Sequence, residues 1–291
     1  MNQTATNLQY EFATPEPVSV QLEVGVGSVT VHASERIETS VEVQPRDAGK
    51  DADLAAAAAT AVEFDGQHLL IRAPRTWRRF TPINDGAIDV TIELPAGSHL
   101  RGHTDLGALT GDGQLGRCEF RSGMGRITLD CVETLDVKSA FGDVTVGACL
   151  GTANVVASSG RIQVGRIDGS ARIKNSNGET RVGFLGARSE VRSANGNVDI
   201  ETATHAVDAK TSNGSVRIGE VSGGRVEVRS SCGDIEVGVR SGVAAWLELN
   251  TRNGMVRNGL TEGEPEEPTT ETVEVHASTS YGDIVVKRVS D

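Results

Sequence analysis

Apolar and polar residues alternate along this chain in short runs, and from about Leu100 onward the runs themselves recur. Counting back from Gly142, Gly178 and Gly233, positions −7 and −5 are apolar: Leu135 and Val137, Ala171 and Ile173, Val226 and Val228. Counting forward from the landmark glycines, positions +2 and +4 are apolar again, as in Val144 and Val146, Val198 and Ile200, Ile235 and Val237. Position +7 often adds one more, in Ile167, Leu185 and Val221. Charged or polar residues stand between them, among them Asp136, Lys138, Glu190, Arg192, Asp208 and Lys210. A period of two gives each strand one dry and one wet face. Glycine punctuates the pattern about every 18 residues, at Gly107, Gly125, Gly142, Gly160, Gly178, Gly196, Gly214 and Gly233, with Gly254 and Gly282 after longer gaps. Asn177, Asn195 and Asn213 stand directly before their glycines, and Asn-Gly is turn chemistry.

A unit of two short strands and two turns is too small to bury its own apolar face, and stacking the units solves that problem. The pattern therefore predicts an all-β chain, a parallel β-solenoid at 101–291 whose rungs lie ~4.8 Å apart. Residues 1–100 are not in clear register with that repeat. They are expected to form an N-terminal β region capping one end, with strands near 18–24, 29–31, 40–43, 69–71 and 88–94. One short helix is expected where Asp51-Ala52-Asp53-Leu54 opens an alanine-rich run, since alanine favours helix and aspartate suits its N-terminus. The acidic segment at 261–271 is expected to be a solvated loop guarding the other end. Strands at Thr272–Val275 and Ile284–Val286 are expected to complete the stack.

Only 3% of the 291 residues are aromatic against 37% apolar, so the interior must be built from Val, Ile, Leu and Ala. A net charge of −12 argues against nucleic-acid phosphates as partners. The N-terminus shows no secretory pattern, and no run approaches the ~20 apolar residues of a membrane span. The expectation is a cytoplasmic protein, with envelope association as the alternative. Cys118, Cys131, Cys149 and Cys232 lack paired spacing and read as small buried thiols in a reducing compartment.

Two clusters are candidates for contact with a partner. Arg121, Lys138, Lys174, Arg192, Lys210 and Arg229 share position −4 and would stack into a positive stripe. Asp136, Glu190, Asp208 and Glu227 at position −6 offer neutralisation beside it. The stripe is read first as an ion-paired solvent face and second as a linear groove for an anionic polymer or partner. Arg75, Trp77, Arg78, Arg79 and Phe80 form the other cluster, a candidate hot spot whose alternative is a loop packed on the N-terminal sheet. His99, His103 and Asp105 lie on extended chain, which separates them unless Gly102 turns. Asp143, Asp234 and Asp283 read as turn residues on widely separated rungs rather than paired acids. No nucleophile elbow, zinc motif or phosphate loop is present, so no catalytic residue, cofactor or metal is expected.

Ile92-Glu93-Leu94-Pro95-Ala96-Gly97, followed by serial Ser-x-Gly-[Asp/Asn/Arg]-[Val/Ile]-x-[Val/Ile], resembles the bacterial putative-adhesin family, a domain of unknown function. The resemblance implies a right-handed β-helix-like stack, sometimes attached to envelope-stress proteins, with no catalytic residues to carry over. The resulting reading is a non-enzymatic, adhesin-like solenoid presenting a rigid surface to a protein or glycan. A self-assembling, bactofilin-like scaffold is the first alternative. A carbohydrate-active β-helix enzyme is the second, and scarce aromatics count against it.

Overall fold

The alternation does what it predicts wherever Val, Ile and Leu recur in register, because branched side chains fit a pleated, half-buried surface. The computed structural model describes residues 8–74, 86–260 and 272–289. The chain divides into two units, Met1–Val146 and Gly147–Asp291, each a stack of parallel strands wound about an axis. The sequence-predicted Arg75–Phe80 cluster and the acidic segment 261–271 lie outside the described residues.

In the first unit, β1 (Leu8–Ala13) is followed by β2 (Ser19–Ser34), a 16-residue strand that turns at Gly27. Next come β3 (Glu38–Pro45), the helix α1 (Asp51–Ala58), β4 (Ala61–Phe64), β5 (His68–Arg72) and β6 (Ile88–Pro95). The unit continues with β7 (His99–Leu106), β8 (Leu109–Met124) and β9 (Ile127–Phe141), and β10 (Val144–Cys149) follows. Strand β2 is itself a rung. Its first half pairs in parallel with β5 on one side and β7 on the other, and its second half with β6 and β8. The N-terminal region is thus part of the coil as well as its cap, because Gly27 makes the same corner as the later glycines. Capping falls to β3, antiparallel to β6, to β1 beyond it, and to β4, antiparallel to β5. Helix α1 starts where expected. Its Asp53 is buried, accepting hydrogen bonds from the backbone N–H of Asp47 (3.1 Å) and Ala87 (2.9 Å).

In the second unit each rung is a strand pair: β11 (Ala153–Ser159) with β12 (Ile162–Ile167), β13 (Ala171–Asn177) with β14 (Thr180–Leu185), and β15 (Ser189–Asn195) with β16 (Val198–Ala203). Then follow β17 (Val207–Asn213) with β18 (Val216–Val221), and β19 (Gly224–Cys232) with β20 (Ile235–Arg240). The register repeats from rung to rung: Val155, Ile173, Val191, Ala209 and Val228 stack on one face, and Val164, Val182, Ile200, Ile218 and Val237 on the other. All ten are buried. Burying that much aliphatic surface is the main force holding the coil closed.

The last two rungs correct the expected order. Strands β21 (Ala244–Asn253) and β22 (Val256–Gly259) precede β23 (Thr272–Tyr281) and β24 (Ile284–Val289) in sequence. In space, however, β23 pairs with β19 on one side and β21 on the other, and β24 lies likewise between β20 and β22. The later strands slip in beneath the earlier ones, so β21 and β22 end the stack. Val273, Val275 and Ala277 are better fillers for an enclosed rung than Ala245, Leu247 and Leu249, which sit half-buried at the end.

Candidate functional site

The corner of each rung in the second unit is fixed by two polar columns. The landmark glycine turns with positive φ, +148° at Gly196, and directs its carbonyl to the inner column at position −3. Hydroxyls there satisfy it: Thr211 donates to Gly196 O (3.2 Å), Ser230 to Gly214 O (2.9 Å), and Thr279 to Gly233 O (3.0 Å). A buried carbonyl without a donor would be costly, which is why small hydroxylated residues recur here. Outside the corner, at position −1, Asn195 Nδ2 donates to Asn177 Oδ1 (3.0 Å) and Asn213 Nδ2 to Asn195 Oδ1 (2.9 Å). The amides form a ladder.

The sequence-predicted stripe is real as a column: Lys174, Arg192, Lys210 and Arg229 lie on successive strands, as do Arg121 and Lys138 in the first unit. In the second unit it is laced to the acidic column beside it. Glu190 binds Arg192 and, at 3.3 Å, Arg172; Asp208 binds Lys210 at 2.9 Å and Arg192 at 3.8 Å; Glu227 binds Arg229 and, at 3.6 Å, Lys210. The hydrogen bond from Arg192 holds the Glu190 carboxyl below its ordinary pKa and raises that of Arg192 in return.

Past Arg229 the column turns neutral, to Ser278 and then Asn250. There a concavity of about 430 Å³ opens on the wet face, lined by Lys210, Arg229, Ser231, Ser280, Asn250 and Arg252 among others. Its lining contains no carboxylate, and Arg252 is exposed and in no ion pair among the described residues. Hydroxyl, amide and guanidinium donors in one shallow cleft are suited to the oxygens of a saccharide or an acidic side chain.

The first unit carries a different feature, missed in the sequence. At position −1, where the second unit has its asparagines, Leu106, Met124 and Phe141 stack in register, with Val26 on the strand beside Leu106. The three are 43%, 52% and 55% exposed. Small neighbours leave them standing proud. At Gly123 a Cβ would meet Asp105 O at 2.5 Å, and Ala140 and Ala108 flank the rest. The signal was available: each of the three directly precedes a landmark glycine. Three exposed apolar side chains thus stack on successive strands of the first unit.

The other candidates are accounted for structurally. Strand β7 runs unbroken through Gly102, so no turn brings His99 to His103; His99 Nδ1 instead accepts the Arg117 N–H (2.9 Å). Among the described residues, no three His, Cys, Asp or Glu side chains are grouped to hold a metal. Asp234 and Asp283, expected far apart, stand on adjacent rungs because β23–β24 inserts beside β19–β20. They serve the turns there: Asp234 Oδ1 accepts the Asp283 N–H (2.8 Å), and Asp283 Oδ1 accepts that of Met255 (2.9 Å). All four cysteines are free; burial pushes the Cys118 thiol up to about 12, while Cys232 is exposed, not buried as expected. No described helix is long and apolar enough to cross a membrane.

A family model described as Toastrack DUF4097 matches residues 19–290. No curated protein matches the chain. Among solved structures, it is similar to a putative adhesin from Bacteroides fragilis at 13% identity, with 97% of this chain and 98% of that one covered and a TM-score of 0.38. It is also similar to a putative adhesin from Parabacteroides distasonis (10% identity, 97% of each chain, TM-score 0.37). A putative cell adhesion protein from Clostridium sporogenes is 12% identical over 98% of this chain and 100% of that one, with a TM-score of 0.24.

Proposed function

This chain belongs to the Toastrack DUF4097 family, and from that premise we propose that it is a non-enzymatic, adhesin-like solenoid whose rigid surface binds a protein or glycan partner. The observation that carries the proposal is the ridge of Leu106, Met124 and Phe141. Apolar side chains held in register by a hydrogen-bonded coil are preorganised, so little conformational entropy is lost when a partner covers them. Methionine and aromatic residues are also enriched where proteins meet. The polar cleft beside Arg252 supports the glycan arm of the same reading, since hydroxyl and amide groups converge there with a guanidinium that is in no ion pair among the described residues.

Site-specific photo-crosslinking in cells tests the ridge. A benzophenone side chain at Met124 is expected to capture a discrete partner, and the same probe at Asn195 is expected to capture none. Equal capture from both positions would remove the ridge from the reading. Binding to an array of acidic and neutral glycans, lost in Arg252→Ala, tests the cleft.

A further inference from the structure

Among the described residues, the second unit ends in an unpaired strand edge. Strand β21 pairs with β23 and, among the described residues, with no strand on its other side. Asn253 O accepts the Gly282 N–H, but alternation breaks just before it, where Arg252 and Asn253 are both exposed. In the equivalent rungs the residue eight before the corner glycine, such as Ala206, gives its C=O to the preceding rung. By alternation from Trp246, which holds that place in β21, the N–H and C=O groups of Leu247 and Leu249 face the open side. The core-facing residues are open too. Val256 is 43% exposed where its neighbour Ile284 is fully buried, and Leu247 and Leu249 are half-buried where Val275 and Ala277 are buried. Natural edges are blunted by proline, lysine or a bulge. Strand β21 has none of these over its 10 residues.

We propose that this edge pairs with β21 of a second copy of the chain, antiparallel about Asn250, to form a closed two-fold dimer. The charge pattern selects this geometry. Antiparallel pairing centred on Asn250 sets Glu248 of each copy opposite Arg252 of the other, and the two-fold axis makes the pair twice. An in-register parallel pairing would set Glu248 over Glu248 and Arg252 over Arg252. Glu248, which meets His276 Nδ1 at 2.8 Å, still has a side chain 65% exposed, and Arg252 is exposed and free of ion pairs among the described residues. The centred register also joins the open backbone groups directly and keeps Leu249 on the core side of the joint. A two-fold pairing uses this edge once on each copy, so growth stops at two copies.

Sedimentation velocity on the full chain, across about a thousandfold range of concentration, tests this. The wild type is expected to move reversibly between monomer and dimer, with nothing larger. Glu248→Arg and Arg252→Glu should each weaken the dimer roughly tenfold or more. The double reversal, with both substitutions, should restore it. At a concentration where the wild type is monomeric, each single reversal should leave the thermal transition unchanged, separating loss of pairing from loss of fold. A monomer at every concentration would overturn the proposal, as would growing filaments, or a double reversal that stays dissociated. Replacing Leu106, Met124 and Phe141 by Ser should leave the dimer intact, so the failure of the ridge and the failure of this edge are separable.

Discussion

Position −1 before the corner glycine holds Leu106, Met124 and Phe141 in the first unit; in the second it holds Asn177, Asn195 and Asn213 on three successive rungs, with Ser159 before them and Cys232, Tyr281 and Asn253 after. The backbone is alike in both: the glycines after Met124, Phe141 and the three asparagines have positive φ, and the strands are in parallel register. The side chains differ in what they do. The asparagines bind one another along the stack, whereas the apolar residues stand half-exposed. A coil of this kind therefore tolerates either chemistry at its outer corner. From Gly107 onward, what recurs in every rung is the corner glycine, with a small or polar residue in the inner column behind it. The ridge is thus a departure that the fold does not require, and the binding proposal rests on that difference.

The strongest way to test the shared part is to damage the corner in both units. At Gly196 a Cβ would stand 2.0 Å from Gly178 O, and at Gly125 it would stand 1.9 Å from Gly107 O. Both glycines also hold φ near +150°, a region that residues with a side chain rarely occupy. Gly196→Ala and Gly125→Ala are each expected to lose about 3 kcal/mol or more of stability, measured by urea unfolding. A loss below about 1 kcal/mol in either unit would mean that its corner is not built as described.

The corner was legible because glycine spacing and alternation are local signals, and both survive in a single sequence. The register followed from them: Val155, Ile173 and Val191 stack because the spacing between them is constant. Two things were not legible. Strand order at the C-terminal end was lost because β21 and β23 carry nearly the same alternation, and alternation does not say which neighbour a strand chooses. The place of β2 was hidden because its neighbours, β5 with β6 and β7 with β8, come from distant segments on both sides. The ridge escaped for another reason. Position −1 was read where it held asparagine and passed over where it held leucine, methionine or phenylalanine.

A smaller effect is expected from exchanging the two chemistries. Asn195 makes one ladder bond as donor and one as acceptor. Asn195→Ala should therefore cost about 1 kcal/mol, since the partners left behind are exposed and find water. Met124→Asn should change stability by no more than about 0.5 kcal/mol, because a half-exposed methionine contributes little to the core. Equal costs for the two, read from paired urea transitions, would erase the contrast between the units.

The smallest effect concerns the charge ladder of the second unit. The Arg192 hydrogen bond, assisted by the nearby charges of Arg172 and Lys174, holds the Glu190 carboxyl below its unfolded value. The ionised form is thus favoured in the folded chain. Its contribution is present above the unfolded carboxylate pKa, near 4.3, and fades as the pH falls through the lower folded value. Glu190→Gln should accordingly destabilise the protein at pH 7 by less than about 1 kcal/mol, as exposed pairs do. The difference from wild type should shrink on acidification and vanish once Glu190 is protonated in both states. Raising the salt concentration at pH 7 should shrink it too, because the pair is open to counterions. A difference that persisted undiminished in acid and in high salt would mean that Glu190 supports the rung by packing, and the wet face would then owe its order to something other than its charges.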